Sequence, residues 1–340
     1  MKFSIVGMDI AKHVFQLHGI DVEGQVVLRR QVRRGQVLGV FGKMDPTVVA
    51  LEACATAHHW GRELTALGHE VRLIPPQHVK PFVRRGHKND AADAEAICEA
   101  ARRPDLGRVP VKSRESQSLL MLHRSRELLV KQRTMLINAV RGHLAEFGIV
   151  AAQGPGRMGE LLRLIGDDGD DRLPAVARQA LRPLAGQLVR LGEEIAVLDK
   201  AILAAHRACA ESRRLAEVPG IGPLTASAIV ASLANPAAFA SGRQFAAWLG
   251  LVPRQNSTGG KPRLGRITRQ GNVYLRRLLI TGAQAVLRWA GKGRTDPWIA
   301  ALLARRPKKV AAVALANKMA RVVWAMLVSG QDYRRPVITA

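Results

Sequence analysis

The chain has 340 residues with 47% hydrophobic content, ample for the cores of two or three domains in a globular protein. Lys and Arg outnumber Asp and Glu 52 to 27, for a formal net charge of +25 and a sequence pI near 11.3. Such a balance points to a polyanionic partner, nucleic acid first and a membrane surface as its competitor.

The N-terminal stretch MKFSIVGMDIAKHV is interrupted by Asp9 and Lys12, which argues against a secretory signal. From Phe3 to Pro76 short β-rich runs alternate with helical ones. FSIVGMDI, HVFQLHGI and QVVLRRQV follow one another at hairpin spacing; then come a helical GQVLGVFGKM, the strand TVVALEAC, a helix from about His58 to Leu67, and the strand EVRLIPP. This α/β signature fits a mixed sheet with three antiparallel strands at one side, the ribonuclease-H-like pattern. No Gly-rich phosphate loop follows the first strand, which argues against a dinucleotide or nucleoside-triphosphate site. Cys54, Cys98 and Cys209 match no zinc spacing and read as reduced core thiols, and His58 and His59 lack a partner motif for a metal.

Asp9 sits inside the first strand and Glu52 ends the fourth β-run. In KNDAADAEAI, Asp90 and Asp93 fall one helical turn apart on a stripe continued by Ile97 and Ala101, while Glu95 and Glu99 point away. Asn89 as a helix cap explains part of this pattern, yet it leaves Asp9 and Glu52 unexplained. In a ribonuclease-H-like sheet the first and fourth strands are central neighbours crossed by a late helix, so four carboxylates can converge. Acids at that density repel one another unless divalent cations neutralise them, and Mg²⁺ suits all-oxygen ligands and phosphate substrates.

Residues Lys112 to Phe147 contain no proline and carry Leu122, Leu129, Leu136, Val140, Leu144 and Phe147 on one side, a helix of roughly 50 Å. A second long helix is predicted from Pro183 to about Cys209, where Leu184, Leu188, Leu191, Ile195, Leu198 and Ile202 repeat as a coiled-coil seam. The two helices pair either with each other or with a partner protomer; a straight helix of that length seldom buries its stripe alone, which favours dimerisation. Between them, GDDGDD lacks the ligand pattern of a calcium loop and reads as a solvated linker.

No Asp or Glu occurs from Val218 to Thr295, whereas Arg243, Arg254, Lys261, Arg263, Arg266, Arg269, Arg276, Arg277, Arg288, Lys292 and Arg294 do. A carboxylate-free basic segment is where phosphates are expected to bind. Within it, LAEVPGIGPLTASAIVASL resembles a helix-hairpin-helix whose Gly220 and Gly222 let backbone amides approach a phosphate; an ordinary Gly-rich connection is the alternative. Further on, Ser257 precedes Thr258 and two glycines among arginines. A serine there is usually a turn residue, but guanidinium groups would also neutralise charge developing on an attacked phosphodiester. Thr258 is the rival hydroxyl. The late apolar run Val310 to Val328 contains Asn317, Lys318 and Arg321, which argues against a membrane span.

Taken together, GMDIAK, LEACAT, KNDAADAEAI, the coiled coil, VPGIGPLTA, GLVPRQNSTGGKPRLGRITRQGN and LRRLLI resemble the DEDD transposases of insertion-sequence family one-ten, in particular its eleven-eleven branch. The resemblance runs from about residue 3 to about residue 330. It implies a RuvC-like catalytic domain over 1–105, a long-helix coiled-coil region over 106–210, and a mostly α transposase domain with helix-hairpin-helix and serine loop over 211–340. It places the metal-binding acids on Asp9, Glu52, Asp90 and Asp93 and the nucleophile on Ser257. It further implies an enzyme that excises and inserts a mobile element in DNA, guided by a structured noncoding RNA. A cytoplasmic protein working as a dimer or a tetramer is the accompanying expectation. Two rival readings stay open: a junction-resolving nuclease in which metal activates water, and a non-enzymatic nucleic-acid scaffold.

Overall fold

The computed structural model describes residues 3–83, 89–152, 154–261, 263–290 and 296–334. Lys88, Lys292 and Arg294, singled out above, lie outside the described residues. The chain divides into two compact units, Met1–Arg114 and Glu115–Ala340.

The first unit is built on β1 (Ile5–Asp9), β2 (Val14–Ile20), β3 (Val26–Arg33), α1 (Val37–Phe41), β4 (Val48–Glu52), α2 (Ala57–Ala66), β5 (Glu70–Ile74), α3 (Pro76–Val79) and α4 (Asp90–Ala101). Its five strands lie in the order β3-β2-β1-β4-β5, with β1–β2 and β2–β3 antiparallel and β1–β4 and β4–β5 parallel. The mixed sheet with β1 and β4 as neighbours is the one predicted. Alternation along β1 decides which side chains meet which helices. Val6 and Met8 join Phe15, Leu51, Trp60 and Leu64 in the core under α1 and α2. Ile5, with Ala50 of β4, joins Ile97, Cys98 and Ala101 of α4 on the opposite face.

Cys98 alone of the three cysteines is buried; Cys54 is exposed in the turn after β4 and Cys209 is half-buried, so the expectation of three core thiols is corrected. His58 accepts a hydrogen bond at Nδ1 from the Lys112 amide at 3.2 Å, and burial beside that lysine pushes its pKa down to about 4. It is therefore a neutral packing histidine.

The second unit contains α5 (Arg114–Ala145, entering from the boundary), α6 (Met158–Gly166), α7 (Ala175–Ala208), α8 (Ala210–Leu215), α9 (Pro223–Ser232), α10 (Gly242–Trp248), β6 (Pro253–Gln255), β7 (Leu264–Ile267), α11 (Val273–Trp289), α12 (Pro297–Arg305) and α13 (Lys308–Ser329). The long helices α5 and α7 run antiparallel within the chain. Arg126 near the start of α5 pairs with Asp199 near the end of α7, while Val140 and Leu144 share a core with Leu181, Leu188 and α6. The seam of α7 is thus filled from inside, which removes the reason given above for dimerisation. Pro183 lies inside α7 rather than opening it. Leu181 and Leu188, on either side, are buried in one apolar cluster, and that burial offsets the lost backbone donor. Asp167, Asp168 and Asp171 of GDDGDD are exposed and Asp170 is half-buried, with Asp168 and Asp170 paired to Arg182 and Arg172.

Helices α8 to α13 enclose the other core, including Phe245, Leu249, Leu275, Leu279 and Met319. By length and composition α13 is apolar enough to cross a membrane, but its residues Ala312, Leu315, Met319 and Val323 are part of that core.

Candidate active site

Three separate backbone features bring the acids together. Ile5 and Ala50 face α4, so by period two Asp9 and Glu52 fall on the same face. Each stands one residue beyond the last parallel pair, Met8 opposite Leu51, at the carboxyl ends of neighbouring strands. The third feature is Gly7: a Cβ there would lie 2.4 Å from the Ala94 carbonyl oxygen and 2.7 Å from the Cys98 amide nitrogen, so only glycine lets α4 come this close. Asn89 caps α4 by accepting from the Ala92 amide at 2.8 Å, which sets Asp90 and Asp93 in the first turn.

Oxygens of Asp9, Asp90 and Asp93 lie within 4.8 Å of one another. Burial first, then the charges of Asp93 and Asp90, push the Asp9 carboxyl up to about 6. Burial and Asp93 also raise Glu52, which stands beside the trio rather than within it. Desolvation first, then Glu52 and Asp9, disfavour the thiolate of Cys54. An all-oxygen set in which burial and neighbouring carboxylates disfavour the charge on Asp9 fits a hard divalent cation.

Ser257 and Thr258 follow β6 at the tip of an exposed antiparallel ribbon with β7. Thr258 bridges Lys261 across a turn in which Gly259 and Gly260 have φ of 55° and 77°. Ser257 Oγ accepts from the Arg263 amide at 3.2 Å. Arg254, Lys261, Arg263, Arg266 and Arg269 are exposed on this ribbon and its exit. The loop foreseen in the sequence is thus an ordered hairpin, whose strands are too short and polar to have shown a periodicity.

Arg276 departs from expectation. It is buried, and its guanidinium donates to the Leu249 and Gln270 carbonyls at 2.9 and 2.6 Å, so it ties backbone together and is unavailable to a phosphate. Arg277 is half-exposed and paired with Glu127 at 2.9 Å. Gly220, at φ 89°, is pressed against α11, where a Cβ on Gly282 would fall 1.9 Å from its carbonyl oxygen; its conformation serves packing. Gly222 is exposed at the N-terminus of α9. Sequence reasoning missed a buried trio: His123 bridges Tyr274 Oη at 3.0 Å and Ser227 Oγ at 3.1 Å, fastening α5 to α11 and α9.

Residues 6–149 match a family described as a transposase, the DEDD transposase of IS110 type, and residues 212–301 match the Transposase IS116/IS110/IS902 family. The chain is 51% identical over 338 residues to a "Probable family 20 transposase" of Pseudomonas aeruginosa, covering 98% of this chain and 99% of the relative. It is 42% identical over 333 residues to the "Transposase for insertion sequence element IS1111A" of Coxiella burnetii, covering 97% and 91%. Similarity to the "Transposase for insertion sequence element IS1328" of Yersinia enterocolitica is 37% over 335 residues, covering 98% and 99%.

Proposed function

The chain belongs to the insertion-sequence transposases of the IS116/IS110/IS902 family and is a DNA transposase, and from that premise we propose that it recombines DNA through Ser257 with the help of a divalent-metal site formed by Asp9, Asp90, Asp93 and the adjoining Glu52. The observation that carries the reading is the convergence of three carboxylates where the carboxyl end of β1 meets the first turn of α4, with Asp9 held back from ionising. The strand order with parallel β1 and β4 at the centre supports a ribonuclease-H-like, RuvC-type frame. Asp9, Asp90 and Asp93 would hold the ion, and Mg²⁺ is the choice that oxygen ligands and a phosphate substrate favour. Such an ion neutralises charge on the non-bridging oxygens of a phosphodiester.

Ser257 Oγ bonds to phosphorus while the bond to one deoxyribose oxygen breaks. The serine proton ends on that departing oxygen, and the phosphodiester energy is kept in the protein–DNA linkage. The Arg263 amide holds the Ser257 oxygen, and exposed Arg254, Lys261 and Arg263 are placed to offset the charge gathering on the phosphorane. Thr258, tied into the turn by its bridge to Lys261, is the weaker candidate.

The reading includes two polyanions, element DNA and a structured noncoding guide RNA, supported by the net charge of +25 and acting in the cytoplasm. It also includes protomer pairing, supported by a second apolar stripe on α5 in which Met121, Leu128 and Met135 are all exposed at heptad spacing. A cell-based excision assay with the element and its native flanks tests the scheme. Asp9→Asn, Asp93→Asn and Ser257→Ala should each lower recombination by at least about a hundredfold, with Thr258→Ala near wild type. Full activity of Ser257→Ala would remove this serine from the chemistry and leave recombination to another nucleophile.

A further inference from the structure

We infer that a basic, apolar-floored groove in the second unit seats an unpaired DNA strand alongside the serine ribbon. The inference rests on the reading of Ser257 as the group that attacks DNA. The groove is a cavity of about 1690 Å³ between the start of α10, the ribbon strands, α12 and α13. One wall consists of Pro253, Gly265 and Ile267. These belong to the two strands whose connecting loop carries Ser257.

The groove is cationic. Arg243, Arg266, Arg269, Lys309 and Arg321 line it, and among the described residues no carboxylate pairs with any of them. Asp296 lies 3.8 Å from Lys318. The Lys318 ammonium also stands 4.2 Å above the Trp298 ring. Between the cations the surface is apolar: Val310, 51% exposed, with Val313, Ala314 and the indoles of Trp298 and Trp324.

A rim of cations, most of them without a carboxylate partner among the described residues, around an apolar floor distinguishes between nucleic-acid forms. A duplex offers phosphates to the rim and leaves the floor without a partner. An unpaired strand offers both, phosphates to the arginines and exposed base faces to the valines and indoles. DNA rather than RNA follows from the wall. From Pro253 to Ser257 the ribbon extends by roughly 13 Å, so a strand lying against β6 and β7 leads to the hydroxyl that attacks DNA.

The test uses the full chain and a short fluorescein-labelled oligodeoxythymidine, read by fluorescence anisotropy across a salt series. Wild type and Ser257→Ala should bind alike. Val310→Glu should weaken binding about tenfold, while Val150→Glu, an equal charge change at an exposed position outside the groove, should not. Arg321→Gln should weaken binding and flatten its salt dependence. A 5-iododeoxyuridine version of the oligonucleotide should crosslink to peptides within 297–329. Equal effects of Val310→Glu and Val150→Glu, or crosslinks mapping elsewhere, would overturn the groove. Tighter, Val310-dependent binding of duplex DNA would overturn the unpaired strand, and the same result with oligouridine would overturn the choice of DNA. If the groove variants behave as expected but no serine adduct forms on element DNA, the serine reading fails and the groove stands. If an adduct forms and Val310→Glu has no effect on binding, the groove fails and the serine stands.

Discussion

Asp9 resists ionisation because it is partly buried and faces Asp93 and Asp90, which lift its carboxyl to about 6 from the ordinary value of 3.8. With the folded value above the unfolded one, the native state binds the extra proton between about pH 4 and 6, so this group's contribution to stability falls as pH rises through that window and is unfavourable above it. Asp9→Asn should therefore raise the melting temperature of the metal-free protein at pH 7.5, on the order of 4 °C, with a smaller gain at pH 5. Saturating Mg²⁺ should reverse the ranking, stabilising wild type and not the variant, as differential scanning fluorimetry would show; a wild type that ignores Mg²⁺ at pH 7.5 would leave the acids without an ion. Arg276 and Arg266 look alike in a basic string, yet one is buried on the carbonyls of Leu249 and Gln270 and the other is exposed. Only the packing of α11 separates them.

Among the elements, β1 shows how pattern becomes site. The run IVGMD alternates Ile5, Gly7 and Asp9 toward α4 with Val6 and Met8 toward the opposite core. The alternation, and hence the placing of Asp9, was legible from period two; the need for glycine at position 7 was not, because it depends on the Ala94 carbonyl arriving from a helix far along the chain. Gly7→Ala should force α4 outward at a cost of about 1–3 kcal/mol and carry Asp90 and Asp93 away from Asp9. Recombination should drop at least about tenfold together with Mg²⁺-induced stabilisation, measured in the excision assay and by thermal melts. Wild-type behaviour of Gly7→Ala in both would show that α4 need not lie this close. The long helices were equally visible as stripes, and α5 matched its forecast closely. What the stripes left undecided was the partner. The pairing of Arg126 with Asp199 and the shared core of Val140 and Leu188 settle it as the same chain, and Pro183 looked like a helix start because its tolerance depends on burial on both sides.

For the whole molecule, two charge patterns were readable at opposite ends of the sequence: spaced acids in the first unit, and in the second a carboxylate-free stretch from Val218 to Thr295. The family match covers both ends. The groove beside the ribbon was not legible, since Arg243, Arg266 and Arg321 come from separated segments and meet only in the fold. The central claim is that the acid site and the serine serve one reaction. The most direct measurement incubates protein expressed together with its native flanking DNA with labelled element-junction DNA and Mg²⁺, then resolves the products on a denaturing gel and maps any protein-linked peptide by mass spectrometry. We predict a protease-sensitive adduct on Ser257 that disappears in Ser257→Ala, in Asp9→Asn and on chelation of the metal. Free cleaved ends without an adduct, unchanged in Ser257→Ala, would contradict the account and leave a metal-dependent nuclease.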